Sequence, residues 1–179
     1  MGVQGMRDHP ITHWIARHWP DRVAIQKHLI GYSLLMGLGS ALVLEIVLHM
    51  GSLAHALGFM GTFGASCVLL FAVPDGALSQ PRRIVMGYAL ASIIGLVGLA
   101  VQPALWMLPV VVGLCISLMM VLDSIHPPAG SVPLVIYLTD PEPGRFLLWV
   151  SVGVLLLVFL SVVFHRIVDY YWQDRHRKQ

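Results

Sequence analysis

Charged residues are scarce in this chain. Asp, Glu, Lys and Arg make up 11% of its 179 residues, against roughly a quarter in an ordinary soluble domain. None of them occurs from Ile46 to Pro74, from Ile84 to Leu122 or from Phe146 to His165. So few charges are too few to cover the surface of a soluble helical core. A large soluble helical domain is therefore a poor interpretation.

Cysteine is also rare, with Cys67 and Cys115 as the two thiols. Each lies alone in an apolar stretch, and the sequence has neither a CxxC pair nor a Cys/His cluster. Metal sites and disulfide frameworks need such grouping, so we predict no metal and no cofactor. A GxxxxGK[ST] phosphate loop is missing too, which argues against ATP-driven transport by this chain. We expect no enzymatic activity, because no nucleophile, base and orienting group stand together. We also expect no nucleic-acid partner.

The apolar runs have the length of membrane helices. A hydrocarbon core of about 30 Å needs around 20 helical residues, and the run 84–122 is about twice that and breaks at Gln102-Pro103. The predicted fold class is an all-α polytopic transmembrane helical bundle with four to six membrane segments. The five simple spans lie near residues 29–48, 53–73, 84–101, 105–122 and 146–165.

Polar ends flank this transmembrane domain, which we place at residues 28–166. Residues 1–27 read as a cytoplasmic N-terminal tail, in which Trp14 and Trp19 favour an interfacial helix. Residues 167–179 read as a basic cytoplasmic tail. We expect an integral membrane protein, located in a bacterial inner membrane. Its N-terminus should lie inside, because basic residues favour the cytoplasmic side. Five simple crossings would put the basic C-terminus outside. Either 124–139 also crosses, or the second or fourth span is incomplete.

Two small-residue motifs interrupt the apolar pattern, Gly64-Ala65-Ser66-Cys67 and His126-Pro127-Pro128-Ala129-Gly130-Ser131. Irregular backbone at membrane depth is tolerated only where protein or a water-filled cavity meets it, and transporters build sites at such breaks. We predict broken or re-entrant elements at both motifs. The two motifs also belong to a faint internal repeat, in which Gly31-Tyr32 corresponds to Gly87-Tyr88.

His126 is the leading candidate for chemistry, because an imidazole can bind an anion, carry a proton or cap a helix. The following Pro127-Pro128 pair biases His126 to an extended backbone. This arrangement would aim the ring at the N-terminus of a helix starting near Ala129, where free N–H groups favour anions. Gly130 and Ser131 would let an anion approach. The alternative is a purely structural helix break.

Other candidates each have a structural alternative. Ser66 could line a path, but Gly64 and Ser66 could also serve close helix packing. Arg82, after Gln80-Pro81, could attract an anion or only mark the cytoplasmic side. Further residues considered are Glu45, in a possible i,i+4 pair with His49, Asp123 as a helix-end residue, and Tyr32 and Tyr88 as pore hydroxyls or interfacial aromatics.

The motifs Gly64-Ala65-Ser66, Gln80-Pro81-Arg82 and His126-Pro127-Pro128-Ala129-Gly130, in this order, resemble the HPP family of integral membrane proteins over about residues 28–165. Some plant plastid and cyanobacterial members are associated with nitrite transport. The resemblance implies a channel or secondary transporter for a small inorganic anion, nitrite first. The residues that the resemblance and the residue reasoning together assign to substrate binding are His126, Pro127, Pro128, Gly130, Ser131, Gly64, Ser66, Gln80 and Arg82.

The chain departs from the family pattern at three places. Arg83 stands where Asn often follows Gln-Pro-Arg, Tyr88 stands where His is common, and Ser131-Val132-Pro133-Leu134 replaces the usual Ala-Thr-Ala-Leu.

The expected partners are the lipid bilayer, a small anion and further copies of the chain in a homo-oligomer. The alternatives are a non-transporting structural or assembly subunit and, less favoured, an intramembrane enzyme that uses His126.

Overall fold

The computed structural model describes residues 27–49, 53–101 and 103–177. The chain divides into two compact units, Met1–Leu34 and Leu35–Gln179. The described part of the first unit is the beginning of one helix, and the packing discussed below belongs to the second unit. The interfacial helix predicted around Trp14 and Trp19 lies outside the described residues and stays a prediction.

The described residues form six α-helices, and no strand occurs among them. This confirms the predicted all-α class. The helices are α1 Lys27–His49, α2 Leu53–Ala72, α3 Pro81–Val101, α4 Leu108–Val121, α5 Val132–Thr139 and α6 Pro143–Arg177. Three 3₁₀ turns, Ala77–Ser79, Leu105–Met107 and Pro127–Ser131, precede α3, α4 and α5.

Two helical stretches are long and apolar enough to cross a membrane, Pro81–Val101 and Pro143–Tyr170. Shorter apolar stretches are Gly31–Val47, Gly61–Ala72 and Leu105–Val121. The last helix is longer than the predicted span, which ended at His165. Residues 166–177 contain neither proline nor glycine, so nothing in the local sequence stops the helix there.

Helix α3 lies at the centre of the second unit and packs against α4, α5 and α6. Its glycines allow the chain after α4 to approach closely. A Cβ added at Gly87 would lie 3.0 Å from the Cβ of His126, and one at Gly95 would lie 3.2 Å from the Cα of Pro133. Contacts of 3.0 to 3.4 Å are tighter than about nine in ten real Cβ contacts, so a side chain at either position would push the neighbouring segment away from α3.

The segment 124–139 runs alongside α3 in the same direction. Gly87 faces His126, Gly95 faces Pro133, and Gly98 faces Tyr137 with 3.2 Å between an added Cβ and the phenol oxygen. Residues that increase along one chain therefore meet residues that increase along the other. The segment accompanies α3 from near its first turn to near its last.

The predicted break at His126-Pro127-Pro128 is confirmed, because a 3₁₀ turn spans Pro127–Ser131 before α5 begins. The break predicted at Gly64-Ala65-Ser66-Cys67 is wrong, since α2 continues through those residues from Leu53 to Ala72. The difference is chemical. Proline lacks the N–H that a helix needs and clashes with the preceding turn, whereas Gly and Ser lower helix stability without removing a donor.

Helix α6 returns in the opposite direction and packs against α2 and α1. An added Cβ at Gly153 would lie 3.0 Å from the ring of Phe63 and 3.6 Å from Val47, whereas one at Gly39 would overlap the ring of Phe164. Later residues of α6 thus meet earlier residues of α1.

The predicted pair of Glu45 and His49 is also present, with 3.1 Å between Oε1 and Nδ1.

Candidate functional site

His126 sits at the entry to the 3₁₀ turn with φ −138° and ψ 98°. This extended backbone is what its position before proline predicts. The side chain is fully buried, with 0% of its surface exposed. The proline pair therefore holds the imidazole in a fixed direction inside the protein.

Both ring nitrogens of His126 have protein partners. Nδ1 lies 3.0 Å from the carbonyl oxygen of Leu78, and Nε2 lies 2.8 Å from Oγ of Ser66. A carbonyl oxygen only accepts hydrogen bonds, so Nδ1 carries a hydrogen. In the neutral ring Nε2 is then the acceptor, and the Ser66 hydroxyl donates to it.

Tyr88 extends this arrangement. Its hydroxyl lies 2.9 Å from Oγ of Ser66. Because the Ser66 proton goes to His126, Tyr88 donates to Ser66, and the side chain of Thr62 is a further hydrogen-bond partner of the Tyr88 hydroxyl. The Tyr88 and His126 rings also lie 5.6 Å apart between centroids. We call Tyr88, Ser66, His126 and the Leu78 carbonyl the buried chain.

The buried chain connects four parts of the fold. Ser66 comes from α2, Tyr88 from α3, His126 from the turn before α5, and Leu78 from the loop between α2 and α3. This loop is itself fixed, because the Ser79 hydroxyl is placed to donate to the carbonyls of Leu69, at 3.0 Å, and Val73, at 2.6 Å. Both carbonyls also accept a backbone N–H, from Val73 and Gly76 respectively, so Ser79 adds a second hydrogen bond to each and ties the loop to the end of α2.

A groove of about 460 Å³ lies beside the turn that carries His126. Its lining contains His126 at the buried edge, together with Pro127, Gly130, Ser131 and Ile125 from the turn and Val112, Ile116 and Met119 from α4. The Ser131 hydroxyl donates to the Pro128 carbonyl at 2.8 Å. An added Cβ at Gly130 would meet nothing within 4 Å. The groove is therefore apolar and has open space at Gly130.

A charged cluster lies at the N-terminus of α3. Arg83 donates from Nη2 to Oδ1 of Asp123 at 2.6 Å, and Arg82 lies 3.9 Å from the other carboxylate oxygen. Asp123 has a φ of 47°, a left-handed conformation that Asp adopts more readily than most residues. The cluster joins the start of α3 to the turn after α4, close to the buried chain in sequence.

The sequence profile of the family described as "HPP, transmembrane region" matches residues 24–175. The chain belongs to the HPP family. It is therefore an integral membrane protein, as the resemblance of its three motifs predicted, and the buried chain and the groove are centred on the His-Pro-Pro sequence of this HPP protein.

Two transmembrane proteins of Dictyostelium discoideum are relatives of this HPP chain. One is 30% identical over 144 residues, which cover 75% of this chain and 50% of the relative. The other is 30% identical over 131 residues, which cover 70% of this chain and 42% of the relative. The chain thus spans about half the length of these curated relatives. No solved structure matches it.

The nine residues assigned to the site separate into groups. His126, Pro127, Gly130 and Ser131 line the groove, and Ser66 bonds to His126. Pro128 is buried. Gly64, Gln80 and Arg82 lie elsewhere among the described contacts: Gly64 has open space at its Cβ position, Gln80 precedes the first residue of α3, and the Arg82 side chain is 70% exposed.

Two interpretations of the HPP motif and its surroundings need correction. His126 points to Ser66 and Leu78, not to a helix N-terminus near Ala129. Gly64 does not serve close packing within this chain, because nothing lies within 4 Å of its Cβ position. The two small-residue motifs do come together, because α2 packs against the turn Pro127–Ser131 and Ser66 bonds to His126.

Sequence reasoning considered Tyr88 only as a pore hydroxyl or an interfacial aromatic, and it missed the Leu78 carbonyl. Tyr88 is 1% exposed, so it is an interior residue and not an interfacial aromatic. The available signal was its position after Gly87, the glycine against which the HPP turn packs. The Leu78 carbonyl gave no signal, because every residue has a carbonyl and only the fold selects one.

Proposed function

We propose that this HPP protein is a transmembrane channel or secondary transporter for a small inorganic anion, with nitrite as the first substrate. The observation that carries the proposal is the groove, because four of the predicted site residues line it together. Its volume of about 460 Å³ is well above the roughly 30 Å³ that one water occupies in the liquid. A small solute fits there without displacing helices.

We propose six membrane crossings, with the segment 124–139 as the fifth. The support is its course beside α3, from Gly87 to Gly98, and the Arg83–Asp123 pair that places its start beside the first turn of α3. Six crossings return the C-terminus to the side of the N-terminus. Arg82, Arg83 and Arg166 then share that side, which the positive-inside rule makes cytoplasmic. The bacterial inner membrane remains our expected location.

We propose that the functional form is a homo-oligomer. The groove is open along one side in a single chain, and Ile116 on its wall is 50% exposed. A solute path through a bilayer needs protein on all sides, and a second copy can supply the missing wall. Exposed small and apolar groups on α4, such as Gly113 and Leu114, are compatible with helix association in membranes.

We infer that the protein is not an enzyme. The Ser66 and His126 pair, at 2.8 Å, resembles a nucleophile and its base. However, Ser66 is fully buried, and its oxygen also lies within hydrogen-bond distance of Tyr88. A substrate would have to displace these partners before it could react.

A non-transporting structural subunit is the second candidate, and one observation favours it. Both nitrogens of His126 bond to the protein itself, as expected for a residue that fastens α2, α3 and a loop together. In that case the groove would be a by-product of the turn, and filling it would change neither flux nor assembly.

The deciding experiment fills the groove without touching the buried chain. Purified protein is reconstituted in liposomes, and initial nitrite uptake is compared for the wild type, Gly130→Leu and Gly37→Leu. Both glycines have open space at the Cβ position and a negative φ, but of the two only Gly130 belongs to the described lining of the groove.

We expect Gly130→Leu to lower protein-dependent uptake at least tenfold and Gly37→Leu to leave it near the wild-type rate. Melting temperature and gel-filtration elution in detergent check that both variants are folded. Equal uptake by the two variants would exclude the groove as the path. Uptake by the wild type no faster than by empty liposomes would favour the structural candidate.

A further inference from the structure

The groove beside the HPP turn is built to receive an uncharged solute. Its described walls are mostly apolar, and His126 and Ser131 are their polar members. The other lining residues are Val112, Ile116, Met119, Ile125, Pro127 and Gly130. An ion that leaves water for such surroundings loses its hydration and gains no compensating charge. A neutral molecule of the same size loses far less.

The polar groups around the groove are not arranged to bind an anion. An anion needs hydrogen-bond donors, but the Nδ1 hydrogen of His126 is given to Leu78 and the Ser66 hydrogen to His126. The Ser131 hydrogen goes to the Pro128 carbonyl. What remains on Ser131 is a pair of acceptor positions on Oγ, which suit a solute that itself donates a hydrogen bond.

The nearest cations of the described structure are engaged at the end of the segment and not in the groove. Arg83 bonds to Asp123 at 2.6 Å and Arg82 lies 3.9 Å from the same carboxylate. None of the described groups that face the His126 ring is a cation: they are the Ser66 hydroxyl of α2, Tyr88 of α3 and the Leu78 carbonyl. Exposed arginine near the turn can raise the local concentration of an anion, but neither arginine belongs to the described lining of the groove.

We propose that the species crossing the groove is the neutral conjugate acid of a weak monobasic acid, so that one proton accompanies each anion. The inference rests on the proposed transport function and specifies its substrate class. At one face the anion takes a proton from water, A⁻ + H⁺ → HA. At the other face HA releases the same proton. No charge moves across the membrane, and no oxidant or reductant is consumed.

The test compares two anions of similar composition, nitrite from a weak acid and nitrate from a strong acid. Liposomes contain a pH-sensitive dye, and a potassium gradient with valinomycin sets the membrane potential. Uptake is measured from pH 8.5 to 6.0 for wild-type liposomes, empty liposomes and Gly130→Leu liposomes. The last two report passage of the acid through lipid and through protein outside the groove.

For the wild type, we expect protein-dependent nitrite uptake that acidifies the lumen by one proton per nitrite. The rate should rise about tenfold for each unit by which the pH falls, because the neutral fraction does so far above the pKa of the acid. A titrating histidine would instead make the rate level off near its own pKa. The rate should not respond to membrane potential, and nitrate uptake should equal that of empty liposomes.

Two other outcomes separate the inference from the function beneath it. Nitrate uptake comparable to nitrite uptake, driven by an inside-positive potential and without acidification, would overturn the inference while leaving anion transport standing. Uptake of neither anion above empty liposomes, from protein that is folded by its melting temperature, would overturn both.

Discussion

Ser66→Ala tests whether the buried chain holds the site together. The substitution removes the hydroxyl that lies 2.8 Å from Nε2 of His126 and 2.9 Å from the Tyr88 oxygen. Tyr88 keeps Thr62 as a hydrogen-bond partner, whereas Nε2 of His126 loses its donor inside the protein. The volume change is small, so the loss of hydrogen bonds is the main effect.

The expected cost follows from these contacts. Hydrogen bonds between membrane helices contribute about 0.6 kcal/mol each on average, which gives about 1.2 kcal/mol for the pair. An acceptor left buried without a donor adds a desolvation cost that can bring the total to about 3 kcal/mol. We therefore expect the free energy of unfolding to fall by about 1 to 3 kcal/mol.

Reversible unfolding in mixed micelles, followed by circular dichroism, measures this free energy. Ser117→Ala is the matched control, because Ser117 is exposed and donates only to the Gly113 carbonyl within its own helix, at 3.0 Å. We expect a change within about 0.5 kcal/mol for this control. If Ser66→Ala costs no more than Ser117→Ala, the buried chain does not stabilise the fold and our reading of the site fails.

Three further outcomes follow from the described contacts. Gly87→Ala should lower the free energy of unfolding by about 1 to 3 kcal/mol, because its Cβ would lie 3.1 Å from the Ser124 carbonyl oxygen. Gly113→Ala should leave it unchanged or raise it slightly in the same assay. Similar changes for both variants would contradict the close packing at Gly87. Asp123→Asn keeps a residue that tolerates the φ of 47° but removes the ion pair, so the salt dependence of stability should weaken by comparison with the wild type, and an unchanged salt dependence would show that the pair contributes nothing. The backbone N–H groups of Arg145 and Gly144 lower the pKa of the Glu142 carboxyl, so Glu142→Gln should be less stable than wild type at neutral pH, and this difference should disappear as the pH falls through the lowered pKa; a difference independent of pH would contradict that role.

The sign of the Glu142 effect follows from linkage. The carboxylate accepts two backbone hydrogen bonds in the folded helix, at 2.9 and 2.7 Å, so its folded pKa lies below its unfolded pKa. A group of this kind stabilises the fold fully above the unfolded pKa and loses that contribution as the pH falls through the folded one.

Local signals in the sequence predicted much of the helical arrangement. Runs without charge between Ile46 and Pro74 and between Ile84 and Leu122 marked helices, because no other regular structure satisfies its backbone in an apolar surrounding within one segment. The Pro127-Pro128 pair predicted both the break and the extended backbone of His126, since the pyrrolidine ring acts directly on its neighbours. Gly64-Ala65-Ser66 misled us because small residues permit a break without causing one.

The partners of His126 were beyond reach of the sequence. Ser66 is 60 positions away and Leu78 is 48 positions away, and no local preference connects them. Gly87 allows the HPP turn, and Gly95 allows α5, to pack against α3, and only that approach fixes which hydroxyl and which carbonyl the imidazole meets.

The local sequence was thus sufficient to predict an all-helical membrane protein of the HPP family with a rigid turn at His126, because charge depletion and proline geometry act within a few residues. Tertiary packing gave the His126 imidazole its hydrogen-bond partners on other segments and placed Gly130 and Ser131 beside an apolar groove. Those properties depend on distances between segments far apart in the chain, which the packing of side chains sets and the local sequence does not encode.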